Sequence, residues 1–383
     1  MHPDSKEQLI QHFRDRLLAG VSYPRITEAR REATDVLGKL IVPGDPLTKV
    51  VDEAMEAAVV RASGPIIAQC QTTHDAYDRL VELLDQQPNL TVRSSTSVLQ
   101  QAYSTPVPIA YLASVLADIT PETWVYEPTA GNGALLIGAN PEKVMANEIN
   151  GDRLAELQTR GYRNLTQHDA TTYQPQEPVD RVICNPPFGS IRGANHRTQR
   201  FPIADTWTTQ VDQAIALKAL EAMKDDGRAV LILGGKKGID PEFRSERYNT
   251  RESRAFFYVL YNQYAVTEHF SISGDLYRKQ GAGFPIDVIV IAGRGPSTRH
   301  LPAAQVPDLK TTFAELKETL TNGPIRHLSP DLGTAPQQFV VRGESAPDPA
   351  SPQRADLQSP DGGTARRDDS ELARHRDPRS DSI

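Results

Sequence analysis

Apolar residues recur at helical spacing through the first quarter of the chain. Leu9, Ile10, Phe13, Leu17 and Leu18 form the first stripe, and apolar positions three or four residues apart predict one buried helix face. The same pattern indicates helices at residues 23–40, 47–62 and 74–84, with breaks at Gly20, residues 43–46 and Gly64-Pro65. These helices predict a small N-terminal domain over residues 1–91. Its role is either packing and dimerisation or that of a lid or target-binding element.

Beyond residue 124 short apolar runs alternate with amphipathic segments. Seven strands are predicted, at residues 124–128, 143–149, 165–169, 179–184, 227–234, 266–273 and 285–292. Helices are predicted at residues 108–117, 133–139, 152–160, 207–224 and 251–262. Such alternation predicts a mostly parallel sheet covered on both faces, and the last two strands, with no helix between them, are expected to pair antiparallel at one edge. The expected fold class is α/β, a Rossmann-like, doubly wound sheet of seven strands.

The pattern weakens after the last predicted strand. The sheet domain is expected to span residues 92–298, followed by a C-terminal extension over residues 299–340 with a helix at residues 309–320. Residues 341–383 are rich in Pro, Ser, Asp, Arg and Gly and contain almost no large apolar residue. This composition predicts a disordered tail.

Composition narrows the class of protein. The chain has 383 residues, a formal net charge of −7 and two cysteines, Cys70 and Cys184, which excludes a disulfide framework and a cysteine-rich zinc site. No apolar run long enough for a membrane helix and no basic-then-apolar signal pattern are present, so we expect a cytoplasmic protein without membrane attachment. The negative charge disfavours extended, non-specific nucleic-acid binding but allows a local basic face.

A glycine-containing turn follows the first predicted strand, from Glu127 to Gly133. Glycines allow tight turns and close ligand approach, although an ordinary strand-to-helix turn has the same pattern. Leu136 stands where the dinucleotide fingerprint has its third glycine. Glu127 would repel a diphosphate but suits a ligand that carries an ammonium and a sulfonium. The turn therefore predicts a site for S-adenosylmethionine.

Two further acids follow the next two predicted strands. Glu148 lies 17 residues after Gly131, near the spacing of an acid that binds ribose hydroxyls, and Asp169 is placed to accept from an adenine amino group. The carboxyl ends of strands are where open α/β sheets bind ligands. Upstream, Tyr103-Ser104-Thr105-Pro106 can fold over such a donor and meet its methionine carboxylate, or can simply cap the following helix.

Asn185-Pro186-Pro187-Phe188 directly follows the fourth predicted strand. An adenine amino nitrogen is a poor nucleophile because its lone pair is delocalised into the ring. Hydrogen bonds from its two N–H groups to the Asn185 side-chain oxygen and the Pro186 carbonyl would direct the lone pair at a methyl donor. Two prolines fix that carbonyl, and Phe188 offers a ring for base stacking, worth about 1–3 kcal/mol. The motif predicts an amine clamp for direct transfer, without a cysteine nucleophile or a metal, on a base flipped out of any duplex.

The order of these motifs resembles the class I S-adenosylmethionine-dependent methyltransferases. Within them it is similar to the enzymes that methylate N6 of adenine in DNA, in the arrangement where the donor motifs precede Asn-Pro-Pro-aromatic. The resemblance covers residues 92–294. Residues 93–110 also resemble the methyltransferase-like region attached to strawberry-notch-type helicases of phages and plasmids, although this chain carries no helicase motifs.

The resemblance implies roles for individual residues. Glu127, Gly131 and Gly133 would bind the donor, while Glu148 and Asp169 would hold its ribose and adenine. The target amine would be held by Asn185, Pro186 and Phe188. The candidate donor residues are Tyr103, Ser104, Thr105, Pro106, Glu127, Thr129, Gly131, Gly133, Glu148 and Asp169, and the candidate catalytic residues are Asn185, Pro186, Pro187 and Phe188.

Substrate recognition is expected from basic loops, because residues 295–341 are few for a separate target-recognition domain. Residues 189–200 contain several basic residues and no acid, and residues 236–254 carry six basic against four acidic residues, a local charge of +2. Solvated loops without a role are the alternative. DNA is the expected partner, and a partner protein could supply target recognition. The candidate substrate contacts are Arg192, Arg197, Arg200, Lys236 and Lys237.

Three functions fit these patterns. The first is an adenine-N6 DNA methyltransferase of the restriction-modification, phage or plasmid type. The second is an N-methyltransferase acting on an RNA base or on a protein glutamine, since the glutamine methyltransferases of release factors also combine a helical N-terminal domain with Asn-Pro-Pro-aromatic. The third is an inactive donor-binding or DNA-binding accessory protein. The polar segment at residues 92–106 and the basic loops favour DNA, and the intact catalytic positions disfavour the third.

Overall fold

A computed structural model of the chain describes residues 3–42, 44–90, 104–192, 197–235, 240–280 and 283–325. It opens with helices α1 (Pro3–Leu18), α2 (Ile26–Leu37), α3 (Pro46–Ala68) and α4 (Thr73–Gln86). The predicted helical region is confirmed, but the break expected at Gly64-Pro65 is wrong, because α3 continues through it. Gly64 has no Cβ to clash with the proline ring, so the helical conformation before Pro65 costs less than it would for another residue. The predictions for residues 92–103 and for the tail lie outside the described residues.

One mixed sheet contains eight of the described strands. They are β1 (Val125–Glu127), β2 (Val144–Asn147), β3 (Asn164–Thr166), β4 (Val179–Cys184), β7 (Met223–Gly234), β8 (Tyr264–Ile272), β9 (Ile286–Arg294) and β10 (Asp308–Lys310). Their order is β10-β8-β9-β7-β4-β1-β2-β3. Only β9 runs antiparallel to its neighbours within this sheet. The seven predicted strands are confirmed, and β10 adds an eighth outside β8.

Helices cover the sheet but differ in places from the prediction. They are α5 (Val107–Leu116), α6 (Gly151–Thr159), α7 (Val211–Leu220), α8 (Pro241–Tyr248), α9 (Arg251–Gln263) and α10 (Phe313–Lys317). The helix expected at residues 133–139 is one 3₁₀ turn, Ala134–Leu136. The helix expected at residues 207–224 is shorter, because a hairpin of β5 (Phe201–Ile203) and β6 (Thr206–Thr208) precedes it. There the Thr208 hydroxyl accepts from the Gln210 backbone N–H at 3.1 Å, a local bond that competes with helix formation.

Alternate residues of the central strands pack on opposite faces of the sheet. Ile183 and Val230 join the core shared with α3, α5 and α6, whereas Val182, Cys184 and Leu231 join the core shared with α7 and α9. A sheet buried on both faces is the doubly wound arrangement. The structure therefore confirms the expected α/β, Rossmann-like fold class.

The N-terminal helices pack against the sheet domain. The largely buried Arg61 of α3 donates to both oxygens of Glu156 on α6, at 2.7 and 2.8 Å. Lys317 of α10 pairs with Asp78 of α4 at 2.8 Å. Among the described helices, none has the length and apolar composition needed to cross a bilayer.

Candidate active site

A cavity of about 390 Å³ lies where the loops after β1 to β4 meet. Its size is in the usual range of small-molecule sites, and its position at the carboxyl ends of the strands is where open α/β sheets bind ligands. The structure brings most of the predicted donor and catalytic residues to it. Those that line the cavity are Ser104, Thr105, Glu127, Thr129, Gly131, Glu148, Asp169, Asn185 and Pro187.

Glu127 is a buried acid without a hydrogen-bond partner for one oxygen. Its side chain is 2% exposed, and Oε2 has no partner among the described residues. Burial, together with the nearby Glu148 carboxylate, raises the pKa of Glu127 well above its usual range. Thr129 Oγ1 is likewise buried and unpartnered. Buried polar atoms are normally satisfied, so both atoms are suited to contact a ligand.

The Glu148 carboxylate holds the glycine turn in place. Its Oε2 accepts from the Gly131 backbone N–H and its Oε1 from the Asn150 N–H, both at 2.7 Å. Gly131 has a φ of +56° and open space where a Cβ would stand. A ligand can therefore approach its backbone closely.

Gly133 has a different role from Gly131. Its φ is +73°, and a Cβ there would lie 2.7 Å from Arg160 Nη1 and 2.9 Å from Leu157 Cδ2. The Arg160 guanidinium in turn donates to the Asn132 carbonyl. Gly133 thus allows the turn to pack against the end of α6 and is not among the residues that line the cavity.

Asn147, which the sequence reasoning did not select, joins the loops that follow three strands. Its Nδ2 donates to the carbonyls of Pro128 and His168, at 3.0 and 2.9 Å. Its Oδ1 accepts from Thr166 Oγ1 and the His168 N–H, both at 2.9 Å. The residue is 1% exposed. A polar residue at the end of a buried strand was the only sequence signal.

The loop after β3 places Asp169 at the cavity, and the loop after β2 places Ile149 there. Asp169 Oδ1 accepts from the Thr171 N–H at 2.9 Å and hydroxyl at 2.7 Å, so it also fixes its own turn. Ile149 is 59% exposed although it is large and apolar. This exposed surface at the cavity suits a flat ring. The rings of His168 and Tyr173 lie with their centres 4.5 Å apart and are tilted by 31°.

Asn185 presents an unsatisfied amide oxygen. Its Nδ2 donates to Thr105 Oγ1 at 2.7 Å, whereas Oδ1 is buried without a partner among the described residues. The partner of the amide nitrogen determines which way the oxygen faces, since the two ends of an amide otherwise exchange by rotation. Thr105 therefore supports the motif Asn185–Phe188, which we call the target motif. Pro106 is the N-cap of α5.

Phe188 lies away from the cavity. It is 3% exposed and packs edge-to-face on Phe284 with ring centres 5.8 Å apart. Pro186 is also buried and, unlike Pro187, is not among the lining residues. The structure thus does not bring the Phe188 ring to the cavity, and its stacking role stays a prediction.

Asp212 supports the target motif from beneath. This carboxylate is 3% exposed and accepts from the Gly189 N–H at 3.3 Å and the Gly234 N–H at 3.0 Å. It therefore ties the residue after Phe188 to the end of β7. The neighbouring Cys184 is fully buried, and burial raises the pKa of its thiol, so it is an inert core residue.

Helix α3 supplies a wall of the cavity through residues that the sequence analysis did not select. Lys49, Glu53, Glu56, Val59 and Val60 all line it. Lys49 pairs with Glu53 at 3.4 Å, and Arg153 of α6 lies 3.9 Å from Glu56. Among the described lining residues five are acidic and two are Lys or Arg. A cavity of this charge favours a cationic ligand.

The candidate DNA-contacting arginines lie in the segment between β4 and α7. Arg192, Arg197 and Arg200 are exposed, and Ile191 beside them lines the cavity. The Arg200 guanidinium lies over the Trp207 ring at 4.1 Å. Tyr103, Lys236 and Lys237 lie outside the described residues. In the part of the chain that is described, no group of three or more His, Cys, Asp or Glu is arranged to hold a metal ion.

No family model matches the sequence, and no curated protein matches it either. Solved structures with a similar fold include a modification subunit assigned to a type I restriction enzyme of Vibrio vulnificus YJ016. That match has 14% identity and a TM-score of 0.42 over 70% of this chain, and this chain spans 58% of the subunit. A protein of Listeria monocytogenes assigned as a class I S-adenosylmethionine-dependent methyltransferase matches with 11% identity and a TM-score of 0.39, over 82% of this chain and 98% of that chain.

A third similar structure is a protein of Pyrococcus horikoshii assigned as an RNA methyltransferase. Its identity is 22% and its TM-score 0.37, over 57% of this chain and 98% of that chain. Similarity at this level does not assign an activity, which depends on the site itself.

Proposed function

We propose that this protein transfers a methyl group from S-adenosylmethionine to the exocyclic N6 amine of adenine in DNA. The observation that carries the proposal is a pair of buried, unpartnered oxygens on residues that line one cavity. Glu127 Oε2 offers a carboxylate to a cation, and Asn185 Oδ1 offers an acceptor to an N–H group. A methyl donor with a positive charge and a target with an amino group satisfy both.

The residues present fit the donor. Its ammonium and sulfonium suit the acidic cavity and Glu127, and its ribose hydroxyls can donate to Glu148, whose oxygens keep further lone pairs. The exposed Ile149 offers an apolar surface to the adenine ring. When bound, the donor supplies an activated methyl group on sulfur. The chain contributes binding, orientation and exclusion of water.

Asn185 orients the target amine for transfer. Its Oδ1 accepts one N–H of the amine, and the Pro186 carbonyl is the proposed acceptor of the other. Both bonds would withdraw the amine from conjugation with the ring and direct its lone pair at the methyl carbon. The N–C bond would form as the C–S bond breaks and leaves its electron pair on sulfur, and the methylated nitrogen would lose one proton to water. Positioning of this kind supplies most of the acceleration in a direct displacement.

The preference for DNA depends on the surface beside the cavity. Three exposed arginines follow the target motif within residues 192–200, and exposed basic residues at a site entrance are typical of phosphate contacts. An adenine inside a duplex must be flipped out to reach the cavity. An RNA base or a protein glutamine carries a similar amine and is the competing substrate.

A transfer assay with labelled donor tests the proposal. The full chain is incubated with methyl-labelled S-adenosylmethionine and, separately, with duplex DNA, RNA or protein extract, and each product is digested and separated. We expect label in N6-methyladenine from DNA. Label in methylglutamine or in an RNA nucleoside would overturn the DNA assignment, and donor binding without transfer to any polymer would overturn the enzymatic one.

A further inference from the structure

Two adjacent residues connect the N-terminal helical region to the target motif. Ser104 Oγ donates to Glu56 Oε2 of α3 at 2.6 Å. The next residue, Thr105, accepts from Asn185 Nδ2 at 2.7 Å. A short chain of contacts therefore joins α3 to the amide that faces the target amine.

Glu56 is itself firmly placed. Its side chain is 18% exposed, and Arg153 of α6 lies 3.9 Å away. One turn further along α3, Arg61 binds Glu156 of α6 with two short hydrogen bonds, at 2.7 and 2.8 Å. These contacts fix α3 against α6, so the Glu56 carboxylate is a fixed anchor for Ser104.

The direction in which Asn185 points depends on this anchor. The terminal torsion of an Asn side chain has two wells of similar energy that exchange oxygen and nitrogen. With Thr105 in place, the nitrogen faces Thr105 and the oxygen is left for the amine. If residues 104 and 105 shift, Nδ2 can turn towards the target, where its hydrogens oppose the N–H groups of the amine.

We propose that Glu56 is a positioning residue for the amine clamp, acting through Ser104 and Thr105 on Asn185. This inference rests on the proposed function. The helical region is then an integral part of the active site. Glu56 acts on the rate of transfer through this chain of contacts, in addition to its place in the acidic lining of the cavity.

A double-mutant cycle tests the inference on the full chain with duplex DNA and S-adenosylmethionine. We expect Glu56→Ala and Ser104→Ala each to lower kcat, measured at saturating donor, roughly 10-fold, since small misplacements at a reacting centre cost up to about 100-fold. The double variant should be no slower than either single variant, because both remove the same contact. Glu56→Gln keeps an acceptor for Ser104 and should recover most of the rate.

The matched control is Glu82→Ala on α4, an exposed residue that pairs with Arg79 and is not among the lining residues. Its kcat should equal that of the unmodified protein. Multiplying effects in the double variant, an unchanged kcat in Glu56→Ala, or a rise confined to the donor KM would each overturn the positioning role.

A second readout is independent of transfer. In protein labelled with ¹⁵N at asparagine, the Asn185 side-chain signals, identified by their loss in Asn185→Ala, should shift in Glu56→Ala and stay in place in Glu82→Ala. Unshifted Asn185 signals in Glu56→Ala would refute the link. If the Asn185 signals shift in Glu56→Ala but the unmodified protein methylates no DNA, the proposed function is refuted and the link between Glu56 and Asn185 stands.

Discussion

Replacing Glu127 with Gln should affect folding and donor binding in opposite directions. The carboxyl is 2% exposed, and burial and the charge of Glu148 raise its pKa. A charge that is unfavourable in the donor-free protein becomes favourable once a cation is bound beside it. Gln has almost the same size but does not titrate.

The effect on stability follows from proton linkage. Below pH 4.5, the ordinary value for this group, Glu127 is protonated in both the folded and the unfolded chain. As the pH rises above it, the unfolded chain loses its proton first, so the unmodified protein is destabilised until the pH passes the raised folded pKa. This loss is at most roughly 1.4 kcal/mol for each pH unit. Between pH 4.5 and 7 it amounts to at most about 3 kcal/mol.

Urea unfolding of the donor-free protein at pH 5 and pH 7.5 measures this pH-dependent loss of unfolding free energy. The stability of Glu127→Gln relative to the unmodified protein should increase with pH. Calorimetric titration should show that the variant binds S-adenosylmethionine roughly 10- to 150-fold more weakly, the equivalent of about 1.5–3 kcal/mol for a hydrogen bond to a charged group.

Two results would refute this reasoning. A stability difference that stays constant with pH would mean that Glu127 does not carry a raised pKa in the folded chain. An unchanged donor affinity would mean that its free oxygen does not face the donor. Glu82→Gln, on the exposed face of α4, is the control for an unspecific effect of charge removal.

Three further predictions concern the same cavity and its surroundings. Donor affinity should rise as the pH increases above 4.5 until Glu127 is ionised in the free protein, and a calorimetric profile with no such rise would contradict this. Gly133→Ala should destabilise the fold by about 1–2 kcal/mol through its left-handed backbone, and further through steric clashes with Arg160 and Leu157. Gly131→Ala should show only the backbone effect on stability but should weaken donor binding more. Equal effects of the two variants in urea unfolding and in titration would count against their separate roles. Reversing the charges of the three arginines within residues 192–200 should reduce the slope of log affinity against log salt by up to about 3, and an unchanged slope in a DNA-binding titration would remove them from the interface.

The sheet was predictable because its central strands are buried on both faces. Such strands contain continuous apolar runs, as at residues 229–233 and 288–292. The carboxyl ends of the predicted strands then placed Glu127, Glu148 and Asn185 at one edge of the sheet. Hydrophobic periodicity of two or of 3.6 residues predicts strands and helices directly, and the strand ends follow from it.

Contacts between distant segments were not predictable from the same patterns. The bond between Ser104 and Glu56 joins residues 48 apart, and neither residue differs in type from an ordinary surface residue. The hairpin of β5 and β6 was not predicted, because each strand is only three residues long and the second overlaps the start of the helix expected at residues 207–224. Asp212 and Asn147 act through backbone groups of other loops, which no side-chain pattern reveals.

The most direct test of the central claim compares transfer by the unmodified protein and by Asn185→Ala at equal donor occupancy. Both are incubated with duplex DNA and S-adenosylmethionine that carries a deuterated methyl group, and the digested nucleosides are identified by mass spectrometry. The amine clamp predicts deuterated N6-methyldeoxyadenosine from the unmodified protein, and none from a variant that binds the donor with the same affinity. Equal product from both proteins, or a label on any atom other than N6, would contradict it.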